Sequence, residues 1–62
     1  MTMYYIASVS DMLIFYKADS AEDCFTEMEG YGEVYDLLRV QHPDIDVMQK
    51  EEFDTLTQPK GE

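Results

Sequence analysis

The chain has 62 residues, of which 14 are acidic and 4 are basic, so its formal charge at neutral pH is −10. It is too short for two domains and too acidic to bind a phosphate backbone, which needs clustered Lys and Arg. Its single cysteine cannot form an intrachain disulfide, and with one histidine a His/Cys zinc site is not expected. Apolar residues make up 45% of the chain and aromatic residues 13%, which predicts a folded domain.

We interpret residues 1–57 as a single acidic domain and residues 58–62 as a polar tail. Residues 1–10 contain no Lys or Arg, so they lack the positive segment that opens a secretory signal. Their apolar run is too short to span a bilayer, and an anionic protein is repelled by anionic lipid. The lone cysteine suits a reducing compartment. These features predict a cytoplasmic protein without membrane contact, in the host cytoplasm if the protein is viral.

Residues 3–9 and 12–17 are rich in β-branched and aromatic residues and predict a β-hairpin. Ser10 and Asp11 between them are typical of turns. A two-residue loop predicts the facing pairs Val9 with Met12, Ala7 with Ile14, and Tyr5 with Tyr16. Both faces of the hairpin are largely apolar. One face is expected to meet the domain's own helix, and the other is either a second buried face or a surface for a homodimer or another partner.

A helix is predicted after the hairpin. Residues 20–23 have the form of a capping box, with a hydroxyl at the N-cap and an acid three residues later. One apolar stripe at helical spacing consists of Ala21, Cys24, Phe25 and Met28. Gly30 stands where a glycine commonly ends a helix. Acids near the start of this helix suit its dipole, whereas Glu27 and Glu29 near its end gain nothing from it.

Residues 33–41 predict a second helix, after a hinge at Tyr31 and Gly32. Two neighbouring rows have helical spacing, namely Val34, Leu37, Leu38 and Gln41, and beside them Tyr31, Tyr35 and Leu38. A strand is the alternative, because part of this segment alternates between apolar and polar residues. His42 and Pro43 end the element in either case, since proline disfavours α geometry in the residue before it.

A short alternating segment around Ile45 and Val47 predicts a third strand that could join the hairpin. Residues 51–56 predict one or two helical turns anchored by Phe53 and Leu56. The element order is therefore ββααβα. This order predicts an α+β fold in which a small antiparallel sheet, made of the hairpin and the third strand, packs against two helices, with the helices on one face.

Most of the acids fall in two segments that are nearly free of bases. Residues 18–36 contain seven acids and no base, and residues 44–54 contain five acids and only Lys50, so these segments hold 12 of the 14 acids. Acids one helical turn apart are about 6 Å apart, which is comparable with the spacing of charges along a nucleic-acid strand. The acids either keep the protein soluble or form a surface that docks on a basic protein.

Our leading hypothesis is a non-enzymatic acidic protein that binds the basic surface of a nucleic-acid-handling protein and blocks its DNA or RNA site, without binding nucleic acid itself. In size and charge, though in no motif, the chain resembles phage-encoded inhibitors of host defence or nucleic-acid machinery, including anti-CRISPR proteins. This resemblance implies an inhibitor that mimics nucleic acid. The alternative is a small adaptor or homodimer that uses the apolar hairpin faces, with acidity only for solubility.

Aromatic residues among the acids suit contact with an Arg-rich surface through stacking, although they can equally pack in the core. The predicted partner-binding residues are Glu22, Asp23, Glu27, Glu29, Glu33, Asp36, Asp44, Asp46, Glu51, Glu52, Asp54, Tyr31 and Tyr35.

No cofactor, metal or catalytic residue is predicted. Asp44 and Asp46 begin like an EF-hand loop, but Gln49 stands where that loop needs Gly. Cys24 and His42 are the one conceivable nucleophile and base. Cys24 falls in the apolar stripe of the first helix and is expected to be a core residue. His42 is expected in a loop or at the end of the second helix, where a basic group suits the dipole.

Overall fold

A computed structural model describes residues 2–58, so Met1 and residues 59–62 of the predicted tail lie outside the described residues. The elements are β1 (Tyr4–Ser8), β2 (Leu13–Ala18), α1 (Ala21–Tyr31), α2 (Glu33–Gln41), β3 (Asp46–Gln49) and α3 (Lys50–Thr57). The strands form an antiparallel sheet in the order β2-β1-β3. The predicted α+β fold and element order are confirmed, and residues 33–41 form a helix, not a strand.

The hairpin turn is centred on Ser10 and Asp11, as the sequence predicts. The Met12 N–H donates to the Val9 carbonyl at 3.1 Å, so these two residues are the first and last residues of the turn. The prediction that they form a facing pair of the sheet is wrong, because the paired residues begin at Ser8 and Leu13. Met12 has a φ of 56°. This left-handed conformation is uncommon for a residue with a side chain and turns the chain into β2.

The register of the hairpin is partly as predicted. Ala7 faces Ile14, which confirms that pair. The predicted pair of Tyr5 with Tyr16 is wrong, because a β-bulge shifts the register by one residue, with Phe15 as the additional residue of β2. The side chain of every β2 residue beyond the bulge therefore lies on the face opposite to the predicted one.

The central strand β1 is buried on both faces, because its alternate residues belong to two core clusters. On one face Tyr5 packs edge-to-face against Phe53 of α3, with ring centroids 5.7 Å apart. On the other face Ile6 packs with Cys24 of α1, and both are fully buried. The helices thus occupy both faces rather than the single predicted face. Phe53 is confirmed as an anchor, but Leu56 is 56% exposed and is not one.

The start of α1 is as predicted, because the Ser20 hydroxyl accepts a hydrogen bond from the Asp23 N–H at 3.2 Å. The predicted end is wrong, since Gly30 lies within the helix. Gly32 ends it instead, with a φ of 56° and its N–H donating to the Glu29 carbonyl at 3.3 Å. Glycine adopts this conformation at little cost, so α2 begins directly after α1 and the helix ends lie side by side.

Only one of the two apolar rows of α2 faces the core. Tyr35 and Leu38 pack into the cluster around Ile6. The other row points to solvent, with Val34 and Leu37 exposed by 54% and 64%. A short helix that meets the sheet on one side can bury only one stripe, so the second row is available at the surface.

Candidate functional site

The predicted partner-binding carboxylates all lie on the surface, and Glu27 alone among them is half-buried. They do not form one continuous surface. The acids of α1 and α2 lie on one face of the sheet, and those of α3 lie on the opposite face. A flat partner surface that contacts one of these layers therefore does not contact the other.

Asp44 has a structural role, because it ties the loop after α2 to the hairpin. Its carboxylate accepts hydrogen bonds from the Ser8 hydroxyl at 2.5 Å and from the Ser10 N–H at 2.9 Å. The bond from the fully buried Ser8, followed by that from Ser10, holds the pKa of Asp44 below the usual aspartate range. Beside it, Asp11 lies 2.5 Å from Nδ1 of His42, the C-cap of α2. These contacts fix the hairpin turn to the end of α2.

The other acids of the second segment also have local partners or a favourable position. Asp46 accepts a hydrogen bond from the N–H of the next residue at 2.8 Å. Asp54 pairs with Lys50 one helical turn earlier, also at 2.8 Å, and this bond raises the pKa of Lys50. Glu51 and Glu52 lie in the first turn of α3, where the helix dipole stabilises an acid. Each acid of this segment thus has a local hydrogen bond, a local ion pair or a favourable position at the start of a helix.

None of the acids of α1 and α2 takes part in an ion pair within residues 2–58, whereas the second segment has the pair of Asp54 with Lys50. The first turn of each helix holds two of them, where the dipole is favourable. Glu27 and Glu29 lie further along α1 and have no such support, and the last turn of α1 contains no base. The charge of Glu29, in the last turn, is therefore placed against the electrostatic preference of the helix end, and that of Glu27, in the middle of α1, gains nothing from the dipole.

The basic residues that the structure describes have other partners. The guanidinium of Arg39 lies 5.9 Å from the centre of the Tyr35 ring. The ammonium of Lys17 lies 5.7 Å from the centre of the Tyr5 ring, on the α3 side of the sheet. Lys50 belongs to the ion pair of α3. Within residues 2–58 none of these bases neutralises the acids of α1 and α2.

The end of α1 and the start of α2 concentrate negative charge around Gly32. Four acids fall within the ten residues 27–36, with no base between them. We call Glu27, Glu29, Glu33 and Asp36 the junction carboxylates. Like charges this close raise the local negative potential, which attracts a cationic partner.

The predicted aromatic contacts are only partly at the surface. Tyr31 and Tyr35 are half-buried in the core cluster under the junction, and burial followed by the charge of Glu27 raises the pKa of Tyr31. Phe25, which the sequence assigns to the core, is 53% exposed. It precedes Glu29 by one helical turn, so the two share a surface of α1. The prediction that Phe25 belongs to the buried stripe is therefore wrong, because Cys24 and Met28 face the core and Phe25 does not.

Metal ligands, cavities and the buried thiol bear on chemistry other than docking among the residues that the structure describes. Among them, no three His, Cys, Asp or Glu side chains converge to hold a metal ion, and no ligand-sized cavity opens. Cys24 is fully buried, as predicted for a core residue, and burial raises the pKa of its thiol. No helix within residues 2–58 has the length and apolar character needed to cross a membrane.

No protein-family model matches the chain, and comparison with curated proteins and with solved structures gives no significant match.

Proposed function

We propose that this chain is a non-enzymatic acidic protein that binds the basic surface of a nucleic-acid-handling protein and blocks its DNA or RNA site. The observation that carries the proposal is the placement of Glu27 and Glu29. Neither has an ion-pair partner within residues 2–58, and Glu29 lies in the last turn of α1, where the helix dipole disfavours an acid. Selection for stability alone favours Lys or Arg at this end of a helix, so these two charges point to a role in contact with another molecule.

The junction carboxylates suit a surface that normally neutralises phosphates. Glu33 and Asp36 are one turn apart on α2, about 6 Å, which resembles the spacing of phosphates along a strand. Glu27 and Glu29 are two residues apart and project from different sides of α1. Lys and Arg side chains that release counterions on binding nucleic acid can pair with these carboxylates in the same way. The exposed ring of Phe25 beside Glu29 adds a face on which an Arg guanidinium can stack. Binding of this kind is fast and strongly salt-dependent.

The test compares two double variants that have the same formal charge. Glu27→Lys/Glu29→Lys reverses the charges at the end of α1, and Glu51→Lys/Glu52→Lys reverses two on the opposite face of the sheet. Each tagged protein is used to capture proteins from host lysate at about 50 mM and about 300 mM salt, which changes the Debye length by more than twofold. Captured proteins are then identified, and their binding to DNA or RNA is measured with and without the acidic protein.

We expect the wild-type chain and the α3 variant to capture nucleic-acid-binding proteins at low salt and to displace their DNA or RNA. The α1 variant is expected to lose both activities. Equal loss in both variants contradicts the proposal, because bulk charge then explains the binding. Capture that is unaffected by salt and by either variant also contradicts it.

A second candidate function rests on the exposed apolar tip of the hairpin. Met12, Leu13 and Ile14 are exposed by 65%, 44% and 38% and follow one another at the start of the edge strand β2. A homodimer or an adaptor contact through this edge is therefore the alternative proposal. Light scattering of the wild-type chain and of Ile14→Glu distinguishes the two, since a dimer that this variant disrupts favours the alternative. Tyr5 is buried and is unsuitable for such a variant.

A further inference from the structure

The outer side of α2 carries a row of aliphatic residues that the fold does not use. Val34, Leu37 and Val40 are exposed by 54%, 64% and 78%. Their spacing of three residues places them along one side of the helix. The inner side, with Tyr35 and Leu38, already supplies the contacts to the core. We call these three exposed residues the aliphatic row.

Carboxylates border the aliphatic row. Glu33 precedes Leu37 by one helical turn, and Asp36 precedes Val40 by one turn, so each acid lies beside an aliphatic side chain. Both acids are exposed, and neither takes part in an ion pair within residues 2–58. The combination of apolar residues with adjacent acids is complementary to a surface that has apolar residues with adjacent bases.

A second copy of the chain is a poor occupant for this row. Two copies bring together formal charges of −10 each, and their repulsion opposes association. A cationic partner gains from the same charges that a second copy has to overcome.

We propose that the aliphatic row binds a basic amphipathic helix of the partner protein. Aliphatic residues at i, i+3 or i+4, and i+7 of that helix pack on Leu37 and its neighbours, and the Lys or Arg residues beside them contact Glu33 and Asp36. This inference rests on the proposed function, since it assumes a basic partner, and it specifies what that partner presents. Apolar contact sets the orientation of the bound helix, and charge raises the rate of encounter.

The test uses two synthetic peptides of identical composition and charge. One is an amphipathic helix with Leu along one side and Lys beside it, and the other is a scrambled sequence with no apolar side. Binding to the full chain is measured by fluorescence anisotropy and by NMR chemical-shift changes. The variants are Leu37→Ser/Val40→Ser in the aliphatic row, the single variant Leu37→Ser and, as the control for the latter, Leu56→Ser, an exposed leucine on α3. Exposed positions are chosen so that the fold is retained, which circular dichroism checks.

We expect the amphipathic peptide to bind about ten-fold more tightly than the scrambled peptide, with shift changes along α2. The row variant is expected to remove this difference, and the Leu56→Ser variant to retain it. Equal binding of both peptides, or an effect of Leu56→Ser as large as that of Leu37→Ser, overturns the inference while a basic partner stays supported. If neither peptide binds at low salt, the proposed function itself fails. Dimerisation of the wild-type chain that the row variant abolishes, measured by light scattering, also overturns the inference in favour of a second copy.

Discussion

Reversing the charge of Glu29 is predicted to stabilise the fold. Glu29 lies in the last turn of α1, which contains no base, so its carboxylate faces the negative end of the helix dipole. An exposed charge at a helix end contributes about 0.3–1 kcal/mol to stability, with a sign that depends on the end. Glu29→Lys removes an unfavourable term and adds a favourable one, so we expect a gain of about 1 kcal/mol. For a domain of this size such a gain raises Tm by about 4–8 °C.

The matched control is Glu22→Lys in the first turn of the same helix. It changes the net charge by the same amount, and Thr26 uses only the backbone carbonyl of Glu22. The dipole argument predicts the opposite sign here, a loss of about 1 kcal/mol. Relief of the overall repulsion among the acids is similar in both variants, so the difference between them isolates position along the helix.

The assay is urea and thermal unfolding at about 20 mM and about 500 mM salt, with circular dichroism as the signal that monitors unfolding. Screening shortens the Debye length from about 20 Å to about 4 Å over this range, so the difference between the variants should shrink at high salt. Equal stability of Glu29→Lys and Glu22→Lys at low salt would refute the reasoning. A lower stability of Glu29→Lys than of Glu22→Lys would refute it as well.

Three further predictions concern the fold. Met12→Gly should stabilise the chain by about 0.5–1 kcal/mol, because glycine adopts the left-handed φ at the hairpin turn without strain. Gly32→Ala should destabilise the chain by about 1 kcal/mol for the converse reason. Urea denaturation measures both effects, and a gain in stability from Gly32→Ala would contradict the argument. Because the folded state lowers the pKa of Asp44, the contribution of this residue is present at neutral pH and is lost as the pH falls below about 4. Asp44→Asn should therefore flatten the acid side of the stability curve, and parallel curves for variant and wild type would argue against this role. Phe53→Leu loses the edge-to-face contact with Tyr5 and should cost about 1–1.5 kcal/mol in calorimetric unfolding.

The features that the sequence predicts well are those set by neighbouring residues. The cap at Ser20 and the turn at Ser10 follow from local hydrogen bonding and conformational preference. The bulge at Phe15 was not predicted, because the residues of β2 carry no local signal, such as a glycine, that marks one. The same holds for α2, whose two rows are equally periodic. The direction that the chain takes at Gly32 decides which of them is buried.

The candidate site was predictable as a set of acids, but not as a surface. The sequence contains both acidic segments, and nothing in their composition separates structural acids from free ones. Asp44 is satisfied by Ser8, which is 36 residues away in the chain, and a contact of this kind exists only in the folded state. The opposite locations of α1 and α3 likewise follow from β1 being buried on both faces.

Stability and binding measured on the same variant separate solubility from docking. If the acids serve only solubility, Glu29→Lys should gain stability and lose no partner, since many other carboxylates maintain the negative charge of the chain. If the junction carboxylates contact a partner, the same variant should be more stable and bind less well. Functional surfaces commonly carry such a cost in stability. A more stable variant with unchanged capture of nucleic-acid-binding proteins would therefore leave Glu29 without a part in docking, whatever its effect on the helix.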